Sequence, residues 1–123
     1  MTKVRDLMKK ISGVDREERV YLKALWTLFL ELEEAIENGH HKKGKEYIRT
    51  SLRILNEFEM FILLKSIDFY EPSEAFKLGK EFMLYKRLLV SLGRKLIEET
   101  EPKFDLRLAH NALSTITGVI LCE

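Results

Sequence analysis

The sequence is short of the residues that interrupt or cross-link a chain. Its 123 residues include two prolines, six glycines and one cysteine. So few prolines and glycines leave little of the chain for loops. The single cysteine, Cys122, excludes an internal disulfide, and no metal-binding or catalytic motif accompanies it. We interpret Cys122 as a small apolar residue near the end of the last helix.

Long apolar runs and an excess of one charge are also missing. No run approaches the roughly 20 apolar residues that cross a bilayer, and no apolar core of a signal peptide follows Met1. The 21 basic and 20 acidic residues give a net charge of +1. A broad attraction to nucleic acid or to an anionic membrane is therefore not expected. We expect a cytoplasmic protein with neither as a partner.

The residues that are present follow a helical period. At 46% hydrophobic and 33% charged, the chain is typical of one globular domain over residues 1–123. Between Val14 and Lys65, two stripes with steps of three and four residues flank the turn Asn38-Gly39-His40. So short a turn predicts an antiparallel hairpin. The stripes are Tyr21, Leu25, Leu28, Leu32 and Ala35, then Ile48, Ser51, Leu55, Phe58 and Ile62.

Three further stripes complete the prediction. A short helix is expected within residues 1–12, a long one from Ser73 and a last one from about Asp105. The fold class is therefore all-α, an antiparallel up-down-up-down four-helix bundle with a short extra N-terminal helix. The stripes are Val4, Leu7, Met8 and Ile11; Ala75, Leu78, Phe82, Tyr85, Leu89, Leu92 and Leu96; and Leu106, Ala109, Leu113, Ile116 and Ile120.

Two segments carry more apolar residues than one buried stripe needs. A second stripe lies beside the first in the helix before the turn, and residues 60–64 are apolar on every side. The hairpin brings both to the end away from the turn. One interpretation is that this end belongs to the core and is covered by residues 1–12 or by the connector at 66–72. The other is that it forms a groove for a partner helix, with residues 1–12 as a lid. The candidate contact residues are Leu22, Trp26, Phe29, Met60, Phe61 and Leu64.

No constellation predicts catalysis, a metal or a cofactor. His40 and His41 are adjacent and diverge on a helix, which makes them a poor chelate. Arg107 and His110 are similar to the Arg and His pair of helical HEPN ribonuclease toxins, but only two residues separate them where that class has a longer gap. We expect a protein that is not an enzyme, and an RNA-directed domain of a toxin–antitoxin pair stays open as an alternative.

The hairpin resembles the flagellin-specific export chaperones of the FliS family. The similar residues are the run 35–39 (Ala-Ile-Glu-Asn-Gly), Lys43, Ile48, Ile54 and the Glu-Phe pair at 57–58. Chain length and helix order also agree with that family. The family's tyrosine- and glutamine-rich N-terminal tail is absent, and its Gly-Gly-Glu motif is replaced by Pro-Ser-Glu at 72–74. The similarity covers about a third of the chain.

The resemblance implies a function and a partner. A FliS-like chaperone binds the disordered C-terminal segment of flagellin as helices along its own bundle, which prevents premature assembly in the cytoplasm. The N-terminal segment of such a chaperone can occupy the groove when flagellin is absent. Flagellin, or another protein segment that folds on binding, is therefore the expected partner. A helical interaction module of another pathway, or a homodimer, is the alternative.

From the sequence alone, Trp26→Ala is expected to lower partner affinity while the helix content of the protein is retained. Circular dichroism beside a binding assay measures both properties. Loss of the fold instead would show that Trp26 belongs to the core.

Overall fold

A computed structural model describes residues 17–67 and 72–121, so the short helix predicted within residues 1–12 lies outside the described residues. The described part of the chain forms helices joined by turns, with no strand. The helices are α1 (Glu18–Glu37), α2 (His41–Lys65), α3 (Pro72–Glu98) and α4 (Lys103–Leu121).

The turn between α1 and α2 has the geometry that its sequence predicts. Gly39 has a φ of +73°, in the left-handed region where only glycine avoids a Cβ clash. The N–H of Gly39 donates to the carbonyl of Ile36 at 3.2 Å, and the N–H of His40 donates to that of Ala35 at 2.7 Å. These two bonds satisfy carbonyls at the end of α1, so the Asn38-Gly39 pair stops the helix.

The starts of α3 and α4 differ slightly from the prediction. Helix α3 begins at Pro72 rather than after Ser73, because proline is well suited to the first turn, where its missing N–H has no partner to lose. Helix α4 begins at Lys103, directly after Pro102 and two residues before the predicted start at Asp105. Asp105 therefore lies in the first turn of α4, where a negative charge is favoured by the helix dipole.

The four helices form a helical bundle. Helix α1 packs on α2, α2 on α3, and α3 on α4, and a smaller contact between α4 and α1 closes the ring. At the far end from the Gly39 turn, Lys65 near the end of α2 meets Glu18 at the start of α1. The ring of Tyr21 stacks on that of Phe58, with centroids 4.8 Å apart. These pairs agree, within one helical turn, with the pairing that the short connection predicts.

The core consists of most of the predicted stripes together with residues from the second stripe of α1. Four residues of the predicted stripes are only half-buried, namely Tyr21, Leu28, Ala75 and Leu106. In α3 the stripe from Leu78 to Leu96 is fully buried, and in α4 so are Ala109, Leu113, Ile116 and Ile120. In the hairpin, Leu25, Leu32, Ile48, Leu55, Phe58 and Ile62 are buried too. Burial of this much apolar surface, at about 25 cal/mol per Å², is the main source of stability.

Two glycines lie where α2 and α3 approach closely. A Cβ on Gly44 would lie 3.0 Å from Cδ1 of Leu96, and a Cβ on Gly93 would lie 3.6 Å from Cδ1 of Ile48. Gly44 lowers the helix propensity of its turn by about 1 kcal/mol, yet it leaves room for the Leu96 side chain. The 3.6 Å separation at Gly93 is an ordinary van der Waals distance, so Gly44 is the tighter of the two positions.

Buried polar groups tie α3 to α4. The carboxylate of Asp105 accepts a hydrogen bond from the hydroxyl of Ser91 at 2.6 Å and pairs with Nζ of Lys95 at 3.1 Å. Burial by itself would raise the pKa of Asp105, but the hydrogen bonds from Ser91 and Lys95 outweigh it and the pKa is lowered. The ionised form of Asp105 is therefore the one that stabilises the fold.

A separate observation concerns membranes. Across residues 17–67 and 72–121, none of the helices combines the length and the apolar character needed to cross a bilayer.

Asp105→Asn is expected to lower the free energy of unfolding at pH 7 by about 1–3 kcal/mol, because charge-assisted hydrogen bonds are lost. A carboxyl with a lowered pKa contributes stability above its unfolded value of about 3.9, and the contribution is lost as the pH falls through the folded value. Urea unfolding at pH 7 and near pH 3 measures this. A deficit as large in acid as at pH 7 would show that the charge is irrelevant.

Candidate functional site

The structure divides the six predicted contact residues into a buried and an accessible group. Leu22, Trp26 and Phe29 have at most 1% of their surface exposed. Leu22, Trp26 and Phe29 are therefore core residues rather than accessible contacts, which is the first of the two interpretations that the sequence left open. One reason is that α1 has two neighbours, since Tyr21 packs towards α2 and Trp26 and Phe29 pack towards α4.

Trp26 shows how α1 meets α4. Its indole N–H donates to the hydroxyl of Thr117 at 2.9 Å, and that hydroxyl donates in turn to the carbonyl of Leu113 at 2.8 Å. The Trp26 ring also meets His110 edge-on, with centroids 5.4 Å apart, and Phe29 at 5.9 Å. Both the apolar body and the polar tip of this tryptophan have partners inside the bundle.

His110 is therefore part of the packing against α1. Its ring lies 5.7 Å from that of Phe29 as well, and it is half-buried, whereas Arg107 is exposed.

Phe61, Met60 and Leu64 form the accessible group. Phe61 is half-buried, with its ring 5.5 Å from that of Tyr21 and the ammonium of Lys65 5.4 Å from its centroid. Met60 and Leu64 are 58% and 62% exposed. These two residues remain as candidates for contact with a partner.

Three further residues extend this accessible surface. Leu63 and Ile67 on and after α2, and Val20 in the first turn of α1, are 52%, 78% and 66% exposed. The ion pair between Glu18 and Lys65, at 3.0 Å, holds the start of α1 beside the end of α2. We call this end of the bundle the apolar pole. Its residues are Val20, Met60, Leu63, Leu64 and Ile67.

Sequence reasoning missed Leu63, Ile67 and Val20 for different reasons. Leu63 stands inside the apolar run 60–64, so the signal for it was present. Ile67 was placed in a connector, but it continues the spacing of α2 by four residues from Leu63. Val20 is a single apolar residue in a charged first turn, and its neighbours give no signal.

The opposite end of the bundle carries a cleft of about 720 Å³ with both polar and apolar lining residues. Glu33, His41, Glu99 and Lys103 are among the residues that line it. Burial raises the pKa of Glu33, with His110 acting in the opposite direction. No group of three or more His, Cys, Asp or Glu within the described residues is arranged to hold a metal ion.

No family model, curated protein or solved structure matches the chain.

Trp26→Ala is expected to lower the free energy of unfolding by about 3–5 kcal/mol, the usual cost of removing a large buried aromatic side chain. Leu64→Ser is expected to change it by less than about 0.5 kcal/mol, because Leu64 is mostly exposed. Chemical unfolding of both variants provides the comparison. Equal losses of stability would contradict the division into a buried and an accessible group.

Proposed function

We propose that this chain is a non-enzymatic binding protein of the cytoplasm. It acts as an export chaperone like those of the FliS family, and it binds the disordered C-terminal segment of flagellin as a helix on the apolar pole. Binding there keeps the flagellin segment from assembling before export. The function is that of a chaperone in protein export for the flagellum, and it needs no cofactor.

The observation that carries the proposal is the exposed face at the end of α2. Met60, Leu63, Leu64 and Ile67 stand at positions i, i+3, i+4 and i+7, which is the spacing of an amphipathic helix face. All four are more than half exposed. A face of this kind favours contact with the apolar side of another helix.

The free energy gained by burying the side chains of the apolar pole is of the size expected for binding a segment that folds on contact. Full burial of one large aliphatic side chain contributes roughly 1.5–3 kcal/mol. The five residues of the apolar pole are 52–78% exposed, so each offers part of that free energy against the entropy lost when a disordered segment becomes a helix. The moderate net affinity that results is appropriate for a chaperone that must release its cargo.

The proposal includes a topology and a lid. Sequential helices that run up, down, up and down place the start of α1 and the end of α2 at one end of the bundle, which assembles the apolar pole. Residues 1–12 precede α1 in the sequence, and their stripe of Val4, Leu7, Met8 and Ile11 suits a removable helical cover. Competition between this cover and flagellin would regulate binding.

Two alternatives to the chaperone function predict different experimental results. A homodimer formed through the apolar pole would bury the same residues without flagellin. A helical RNA-directed domain has less support, because His110 packs against Trp26 and Phe29 while Arg107 points to solvent.

The proposal is tested by isothermal calorimetry of the full chain with a synthetic peptide of the C-terminal segment of flagellin. Leu64→Ser is expected to weaken binding roughly tenfold, because its exposed surface is no longer available for burial. Phe104→Ser is the matched control, since Phe104 is 63% exposed on α4 and lies outside the apolar pole. Its expected effect is below about twofold.

Two results would contradict the proposal. One is the absence of binding by the unmodified chain. The other is equal weakening by both substitutions, which would show that exposed apolar residues bind the peptide without selecting a site. Sedimentation of the chain alone detects the homodimer.

A further inference from the structure

The outward face of α3 carries a single file of exposed apolar residues. Phe76, Met83, Val90 and Ile97 follow one another at steps of seven residues, and they are 71%, 53%, 50% and 65% exposed. Seven residues are close to two turns, so these side chains point in nearly the same direction along about 32 Å of helix. The buried stripe of α3, from Leu78 to Leu96, occupies the opposite side.

Basic residues are interleaved with this file. Lys80, Arg87 and Arg94 each follow an apolar member by four residues, and all three are exposed. None of them makes an ion pair within the part of the chain that the structure describes. The ammonium of Lys80 lies 5.5 Å from the centroid of the Phe76 ring. We call these seven residues the α3 seam.

Charges of one sign dominate around the α3 seam. Between Phe76 and Ile97, the other exposed residues are Lys77 and Leu84, and no exposed residue is acidic. The exposed residues of α1, together with Glu17 just before it, show the reverse, since they include four glutamates and no base. The net charge of +1 therefore conceals a bundle with a basic side on α3 and an acidic side on α1. The glutamates are Glu17, Glu31, Glu34 and Glu37.

We propose that the α3 seam docks an acidic amphipathic helix of a partner protein. Apolar and basic residues alternate at steps of four and three, which is the spacing that a facing helix meets when two helices pack along a seam. The apolar members would pack against apolar residues of the partner. Glutamates or aspartates of the partner would pair with Lys80, Arg87 and Arg94, which requires a partner helix of opposite charge.

Segments of this chain are poorer occupants of the α3 seam. A second α3 seam in the same direction would bring like charges together, which disfavours pairing. The acidic side of α1 has the right charge, but its exposed residues include only one large apolar side chain, Val20. Residues 1–16 contain five Lys or Arg against two Asp, so their charge has the same sign as the seam.

The pattern also differs from that of a helix lying on a membrane. Such a helix presents a broad, continuous apolar face, with its cations at the margins. In the α3 seam the cations stand in line between the apolar residues, where insertion would bury them. A narrow seam of alternating character is better matched by one partner helix.

This inference goes beyond the proposed function and does not depend on it. The α3 seam shares no residue with the apolar pole. A chaperone with both surfaces would hold its cargo at one and a second, acidic protein at the other. Substitutions in the seam are therefore expected to leave binding of the flagellin peptide unchanged, so that the two proposals fail separately.

The probe is a labelled synthetic helix of about 25 residues with leucines along one file and glutamates at the positions facing the bases. Fluorescence anisotropy with the full chain measures its affinity. The combined change Lys80→Glu, Arg87→Glu and Arg94→Glu is expected to weaken binding at least roughly tenfold. The matched control reverses three exposed bases of α2, Lys43→Glu, Arg49→Glu and Arg53→Glu, and is expected to have an effect below about twofold.

The apolar half of the α3 seam is tested in the same assay. Val90→Ser with Ile97→Ser is expected to weaken binding by roughly tenfold, and a probe with lysines in place of its glutamates is expected not to bind. Circular dichroism reports whether each variant folds. If the variant with the three charge reversals does not fold, a variant with Lys80→Gln, Arg87→Gln and Arg94→Gln takes its place.

Several outcomes would overturn the proposal. They are equal affinity for the acidic and the lysine probe, equal weakening by the two sets of charge reversals, and no loss on changing Val90 and Ile97. A different result would be that the chain binds anionic phospholipid vesicles through the seam and fails to bind the acidic probe. That result would show that the face binds membranes. If the chain forms a dimer and the seam substitutions make it dissociate, the occupant of the α3 seam would be a second copy of this chain.

Discussion

The width of the buried face of α1 is the constraint on which the rest of the structure depends. A helix in a ring of four has two neighbours, so a single stripe one residue wide cannot fill both contacts. Helix α1 meets this requirement with two adjacent stripes, one towards α2 and one towards α4. Trp26 fixes the second contact through its hydrogen bond to Thr117 at 2.9 Å. Without this contact the ring would stay open between α1 and α4.

Closing the ring determines where apolar surface remains. Because Leu22, Trp26 and Phe29 are buried in the core, α1 contributes only Val20 to the exposed large apolar residues. The remaining exposed apolar residues lie mainly at the end of α2 and along the outside of α3. Those two places are therefore where a partner can gain contact area without opening the core.

Much of the fold could be predicted from the sequence, because it depends on local periodicity. Most residues of the stripes in the hairpin, α3 and α4 are buried, and Asn38-Gly39 ends α1 as a glycine cap requires. The predicted starts of α3 and α4 are one or two residues too late, because Pro72 and Pro102 allow a helix to begin sooner than a polar cap suggests.

The candidate site was predicted only in part. Periodicity identifies apolar residues, but it does not say how many neighbours a helix has, so Trp26 and Phe29 looked like a surplus. Met60 and Leu64 were found because residues 60–64 are apolar on every side of the helix. The α3 seam was overlooked, since residues such as Val90 and Arg87 look like ordinary surface until the buried side of α3 is known.

The most direct test of this account uses the fact that Trp26 is the only tryptophan in the chain. Fluorescence emission and acrylamide quenching of the intact protein report on the surroundings of that single side chain. A blue-shifted emission that resists quenching is expected, because the indole is enclosed between α1 and α4. Emission like that of tryptophan in water, with ready quenching, would contradict the closure of the ring and the placement of the binding surfaces that follows from it.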